Sequence, residues 1–195
     1  DLVGPESHGG SSGDSHPDPI GNNEIIDATS YIEWHYYKIT PDSLRYLPFT
    51  LGPWEESSIW DIAFQRNHIR TNSGTSGVGS GGAHVDSSET WNGTIFNNLN
   101  EVEIDLEYKS DTILNTFYNI STHEFSEGST NPSLETWAEI DINNNYTMTI
   151  TNNKLIIRTS NGDSYYKFWI RDYYDENGIS GNITLIYDII EEVEN

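Results

Sequence analysis

Cysteine is missing from all 195 residues, so the chain builds no disulfide, thiolate nucleophile, zinc–thiolate site or iron–sulfur cluster. Basic residues are scarce as well: 9 Lys and Arg stand against 31 Asp and Glu, a formal net charge of −22 at pH 7. So acidic a body repels phosphate backbones and anionic membrane surfaces, which argues against a nucleic-acid role. No apolar run is long enough to span a bilayer, and no charged-then-apolar leader opens the chain. The sequence starts with Asp1 rather than Met, and the expectation drawn from this is an exported protein whose leader has been removed.

What is present divides into two parts. Residues 1–24, DLVGPESHGGSSGDSHPDPIGNNE, are rich in Gly, Ser, Pro and Asp and read as a flexible polar tether. Residues 25–195 are rich in Tyr, Trp, Ile, Asn and Thr in short runs between turn residues, a pattern that favours strands. The expected fold is all-β: a single antiparallel domain behind a polar N-terminal tail. Its clearest part is a C-terminal meander of Lys154–Thr159, Asp163–Asp172 and Asn182–Ile190, with Asn161-Gly162 suited to a type I′ turn. Further strands are expected at Tyr31–Ile39, Ile59–Gln65, Gly93–Leu106, Ile113–Ile120, Trp137–Ile142 and Tyr146–Ile150, with short helical turns after Pro41 and Pro132.

The glycines at 74, 77, 79, 81 and 82 invite a phosphate-loop reading, yet no lysine lies between Lys38 and Lys109 and no helix pattern follows. Gly77 to Gly82 also fits Gly-x-Gly-x-x-Gly, but without βαβ alternation around it. Such glycines instead let a backbone run close against a neighbouring strand or a flat ligand. No Gly-x-Ser-x-Gly elbow occurs. Carboxylate pairs such as Glu101 and Glu103 are unremarkable in so acidic a chain. Asp141 to Asn152 lacks the glycine and glutamate of a calcium loop. No enzymatic chemistry emerges, and a carbohydrate-binding module stacking sugars on the many Trp and Tyr is a further reading that nothing singles out.

Histidine, methionine and the aromatics remain, the groups that hold a haem: imidazole or thioether on the iron, rings and aliphatics on the porphyrin faces. The folded part offers His35, His68, His84 and His123, and Met148 is the sole methionine. His35 and His68 read as surface or hydrogen-bonded strand residues. His123 and Met148 are the candidate ligands, each with a structural reading beside the ligating one.

The block Trp60 to Ala83, WDIAFQRNHIRTNSGTSGVGSGGA, resembles the signature of the HmuY family, haem-binding surface lipoproteins of Bacteroidetes, with its Trp-Asp-apolar-Ala run, Arg-Thr-Asn and spaced glycines. DATSYIEWHYYKI at Asp27–Ile39, ETWAEIDI at Glu135–Ile142 and the stretch Asn152–Ile189 are similar to the family's first strand and C-terminal part. The resemblance implies an all-β fold and a lipid anchor on a cysteine just ahead of Asp1, the membrane being reached only through that anchor. It also implies haem and iron acquisition beside a TonB-dependent outer-membrane receptor. The family's two ligating histidines fall near Thr116 or Phe117 and on Ile142, none of which ligates iron. The candidates for binding haem are therefore His123 and Met148, or His123 alone, with walls from Tyr118, Phe125, Trp137 and Tyr146. The alternative is a structural or interaction subunit of an outer-membrane complex that keeps the fold without the haem.

Overall fold

The computed structural model describes residues 16–103 and 105–193. Its strands are β1 (Asn22–Asp27), β2 (His35–Ile39), β3 (Leu44–Leu47), β4 (Ile62–Gln65), β5 (His68–Thr71), β6 (Gly82–Thr90), β7 (Glu101–Glu103), β8 (Thr112–Asn119), β9 (Glu124–Thr130), β10 (Ala138–Asp141), β11 (Thr147–Ile150), β12 (Asn153–Arg158), β13 (Tyr165–Tyr174) and β14 (Ser180–Val193), with one helix, α1 (Gly93–Asn98). The larger sheet runs β1-β14-β13-β12-β6, and β7 pairs in parallel with the end of β14. The smaller sheet runs β3-β2-β4-β5, and the hairpins β8-β9 and β10-β11 stand apart from both. The fold is thus all-β and almost wholly antiparallel.

The period of two along a strand sets what each face covers. On β13, Tyr166, Phe168 and Ile170 point into the main core with Ile183, Leu185 and Tyr187 of β14 and with Tyr37, Ile62, Phe64 and Ile69 of the smaller sheet. On the opposite face Trp169 and Ile186 pack under Trp91 and Phe96, so α1 roofs the sheet. Lys167 shares that face and is only 1 % exposed. Its ammonium donates to the carbonyls of Phe96 and Leu99 at 2.7 and 2.9 Å, closing the C-terminal end of α1. Burial pushes the Lys167 pKa down, partly offset by Asp188.

Three side chains bind the glycine-rich stretch into this frame. Asp61, wholly buried, accepts from Ile39 N at 2.9 Å, Ser160 N at 2.8 Å and the Lys38 ammonium at 3.0 Å, joining β2 to the β12–β13 turn. Asn72 donates through its side chain to the carbonyls of Ser57 and Trp60 and accepts from Gly79 N at 2.9 Å. Asp111 accepts from Thr71 N, the Thr71 hydroxyl and Asn131 Nδ2. Burial pushes the Asp111 carboxyl up, with those hydrogen bonds acting against it. The glycines pass so close to these groups that a Cβ at Gly77 would strike the Asn72 side-chain oxygen and one at Gly74 the Asp111 carbonyl. Close backbone approach is thus what the glycines are for.

Several local expectations change. Gly93–Leu106 is not a strand but α1 followed by β7. Asn92 caps the helix by accepting from Ile95 N at 3.0 Å, and Phe96 and Leu99 turn to the apolar side that a helical spacing gives them. The expected turn after Pro41 leads into β3, whereas Pro132 does precede a 3₁₀ turn at Leu134–Trp137. The meander is present, but its first turn is not type I′: of Asn161 and Gly162 only Gly162 has a positive φ, 80°. β1 starts at Asn22, inside the segment read as a tether, and Ile20 N donates to Asn97 Oδ1. Residues 1–15 of that segment lie outside the described residues.

Two substitutions test this frame. Asp61→Ala leaves two backbone donors and a lysine without their buried partner and should cost about 3 kcal/mol, read as a lower urea midpoint at unchanged m-value. Gly77→Ala adds a methyl group with no room for it and should cost about 1–3 kcal/mol in the same measurement.

Candidate functional site

A cleft of about 800 Å³ opens between the two free hairpins, the β4–β5 turn and the β13–β14 end of the larger sheet. The volume falls in the ordinary range for a small-molecule site. From β8 come Thr116, Phe117 and Tyr118, from the β10–β11 hairpin Ile140, Tyr146 and Met148, from the β4–β5 hairpin Arg66 and His68, and from β13 Tyr173 and Tyr174. The Met148 backbone N–H donates to the Tyr174 hydroxyl at 3.3 Å, which ties the β10–β11 hairpin to the larger sheet.

Of the expected site residues, Tyr118, Tyr146 and Met148 line this cleft. His123 is exposed on the turn between β8 and β9, with φ 57°, and its Nδ1 meets the hydroxyls of Tyr118 at 3.0 Å and Tyr146 at 3.3 Å. It thereby links the tips of the two hairpins. Phe125, 49 % exposed, leans on Tyr118 from the neighbouring strand and is not among the lining residues. Trp137 is buried in the core rather than set in the wall: its ring N–H donates to Asn67 O at 2.8 Å and its face packs on Tyr173. Tyr118 has its pKa raised by desolvation first and by Tyr146 second, so its phenol is protonated at neutral pH. Thr116 and Phe117 line the cleft, whereas Ile142 does not.

His68, read from sequence as a surface or hydrogen-bonded strand residue, is indeed hydrogen-bonded but is 5 % exposed and faces the cleft. Its Nδ1 lies 3.0 and 3.2 Å from the two carboxylate oxygens of Glu135, and its ring stacks on Phe117 with centroids 3.8 Å apart. Glu135 is also held by the Thr130 hydroxyl at 2.6 Å. The pairing spans 67 residues of sequence, so no local spacing announces it.

Arg66, with φ 52°, spends its donors on neutral groups: the carbonyls of Thr29 and Ser180 and the Ser180 hydroxyl. Its guanidinium lies 4.2 Å from the Tyr31 ring centroid, and no carboxylate among the described residues forms an ion pair with it. None of the residues lining the cleft is Asp or Glu, in a chain that carries 31 of them. The Thr116 hydroxyl, also at the cleft, is buried and finds no hydrogen-bond partner.

Comparison with known proteins places this geometry. No curated protein sequence matches the chain. Several solved structures share the fold. A Bacteroides vulgatus protein proposed to be a HmuY-like haem-binding protein is 22 % identical at a TM-score of 0.61, covering 85 % of this chain and 89 % of its own. The apo HmuY analogue of Tannerella forsythia is 20 % identical at 0.61, over 91 % and 99 %. A Bacteroides fragilis protein proposed to be a lipoprotein is 18 % identical at 0.62, over 85 % and 86 %. The model of the HmuY protein family matches residues 30–187, more than half of the sequence and inclusive of the smaller sheet and the cleft, and the chain therefore belongs to the HmuY family.

Proposed function

We propose that this protein binds haem in the cleft between its two free hairpins, as a non-enzymatic cell-surface lipoprotein that passes haem to a TonB-dependent outer-membrane receptor. The observation that carries the haem reading is the contrast between cleft and body. The body has a net charge of −22, while the cleft presents aromatic rings, Ile140, Met148 and an arginine without an ionic partner, and no carboxylate. Haem is a flat apolar ring bearing two carboxylates, and that lining suits both halves: rings and aliphatics for the porphyrin, Arg66 for the acid groups. The donor chemistry fits as well, since an imidazole and a thioether, both common axial ligands of haem iron, lie in the wall.

The surface location, the lipid anchor and the receptor are supported by membership of the family and by the resemblance in the Trp60–Ala83 block. A sugar-stacking role draws little support from the tryptophans, because five of the six, Trp54, Trp60, Trp91, Trp137 and Trp169, are buried, and Trp34 is half-buried with the Arg70 guanidinium over its ring. An interaction subunit without haem is favoured by the apolar side chains Phe49, Leu51 and Ile59, exposed between β3 and β4.

Ferric haem titrated into the purified protein should shift and sharpen the Soret band to saturation at one equivalent. A spectrum unchanged at excess haem rejects the haem reading and leaves the subunit role. A second measurement probes the charge argument. Ile140→Asp, at a partly exposed wall position, puts a carboxylate where the cleft has none and should weaken haem binding about tenfold or more with little change in thermal stability.

A further inference from the structure

Five histidines lie among the described residues; His16 meets the Thr94 hydroxyl at the exposed surface, and the other four differ in what their second nitrogen is free to do. His35 and His84 hold backbone carbonyls of Asp27 and Glu107 through Nδ1, and neither lines the cleft. His123 meets two phenols at Nδ1 on an exposed turn. His68 alone is buried, lines the cleft and is braced by a carboxylate.

An ionised carboxylate only accepts hydrogen bonds. With Nδ1 of His68 held 3.0 and 3.2 Å from the oxygens of Glu135, Nδ1 carries the proton and the neutral ring keeps its lone pair on Nε2. No hydrogen bond within the described residues engages Nε2. The stack on Phe117 and the brace from Glu135 fix the plane of the ring, and the Thr130 hydroxyl in turn fixes Glu135. A carboxylate orienting a cleft-lining imidazole whose far nitrogen is unengaged is the arrangement that prepares histidine to ligate a metal, because it sets the tautomer.

We propose that His68 Nε2 is an axial ligand of the haem iron and that Glu135 is the residue that positions it; the inference rests on the haem reading of the cleft. His123, the histidine expected from sequence, joins the hairpin tips through the Tyr118 and Tyr146 hydroxyls.

The test compares wild type, His68→Ala, His68→Gln and Glu135→Gln in the full chain, using ferric haem and, separately, iron-free protoporphyrin. Protoporphyrin binding, followed by quenching of intrinsic fluorescence, reports the cleft without the iron and should persist in all four proteins, with a smaller loss than haem binding suffers in the two His68 variants, whose substitution alters the wall. With ferric haem, wild type should give the absorption and electron paramagnetic resonance signature of nitrogen ligation. Both His68 variants should lose that signature and bind about tenfold or more weakly, and added imidazole should restore the signature in His68→Ala. Glu135→Gln should keep the ligand but weaken haem affinity about tenfold. If both His68 variants retain the wild-type spectrum while protoporphyrin still binds, His68 is not the ligand and the cleft reading stands. If wild type binds neither protoporphyrin nor haem, the cleft reading falls and the ligand assignment falls with it.

Discussion

Asp61 sits without solvent exposure between the two sheets, and its carboxylate is the common acceptor for a backbone N–H of β2, a backbone N–H of the β12–β13 turn and the Lys38 ammonium. A desolvated charge is costly unless every lone-pair direction is met, so only a narrow range of sheet-to-sheet placements tolerates it. The backbone N–H of Asn72 donates to the Asp61 carbonyl at 3.0 Å, and Asn72 carries the constraint into the glycine-rich stretch. Asp111 and Asn131 extend it to the start of β8 and to the 3₁₀ turn that bears Glu135. The cleft therefore inherits its shape from a chain of buried polar contacts that begins on the far side of the molecule.

That chain explains why one block of sequence is so legible and the site so little. Trp60, Asp61, Asn72 and the glycines at 74, 77 and 79 all meet within the same close-packed seam, where a changed side chain has no room. The C-terminal meander is legible for a different reason: β12, β13 and β14 are buried on both faces and read as long apolar and aromatic runs. β9 gives no such signal, because Glu124 to Glu127 are exposed, and β6 has little apolar content beyond Ala83 and Val85. α1 is six residues long and its Thr94 and Ile95 carry strand propensity, so its identity rests on the Asn92 cap and on the sheet it covers.

Within the site, Tyr118 and Tyr146, expected from sequence as walls, and Met148, expected as a ligand, line the cleft; aromatic and thioether groups near the hairpin turns are conspicuous in the sequence. It misplaces Trp137, whose ring follows a backbone carbonyl of the β4–β5 turn into the core. It passes over His68 because a strand histidine is commonplace, and what makes this one different is a glutamate that tertiary folding brings from the 3₁₀ turn at Leu134–Trp137. Arg66 is hidden for the same reason: its unusual state is the lack of an ion pair among the described residues, a property of space rather than of spacing.

The carboxylate-free cleft also bears on how fast a ligand arrives. At physiological ionic strength the field of a body with net charge −22 reaches only about one Debye length, roughly 8 Å, beyond its surface. An anionic guest is repelled across that layer and attracted only once it lies within range of Arg66. Encounter from free solution is then slowed by the body and quickened by added salt, the reverse of electrostatic steering. Transfer within a contact that already excludes the intervening water escapes that barrier, so the charge distribution favours hand-to-hand exchange over capture from dilute solution.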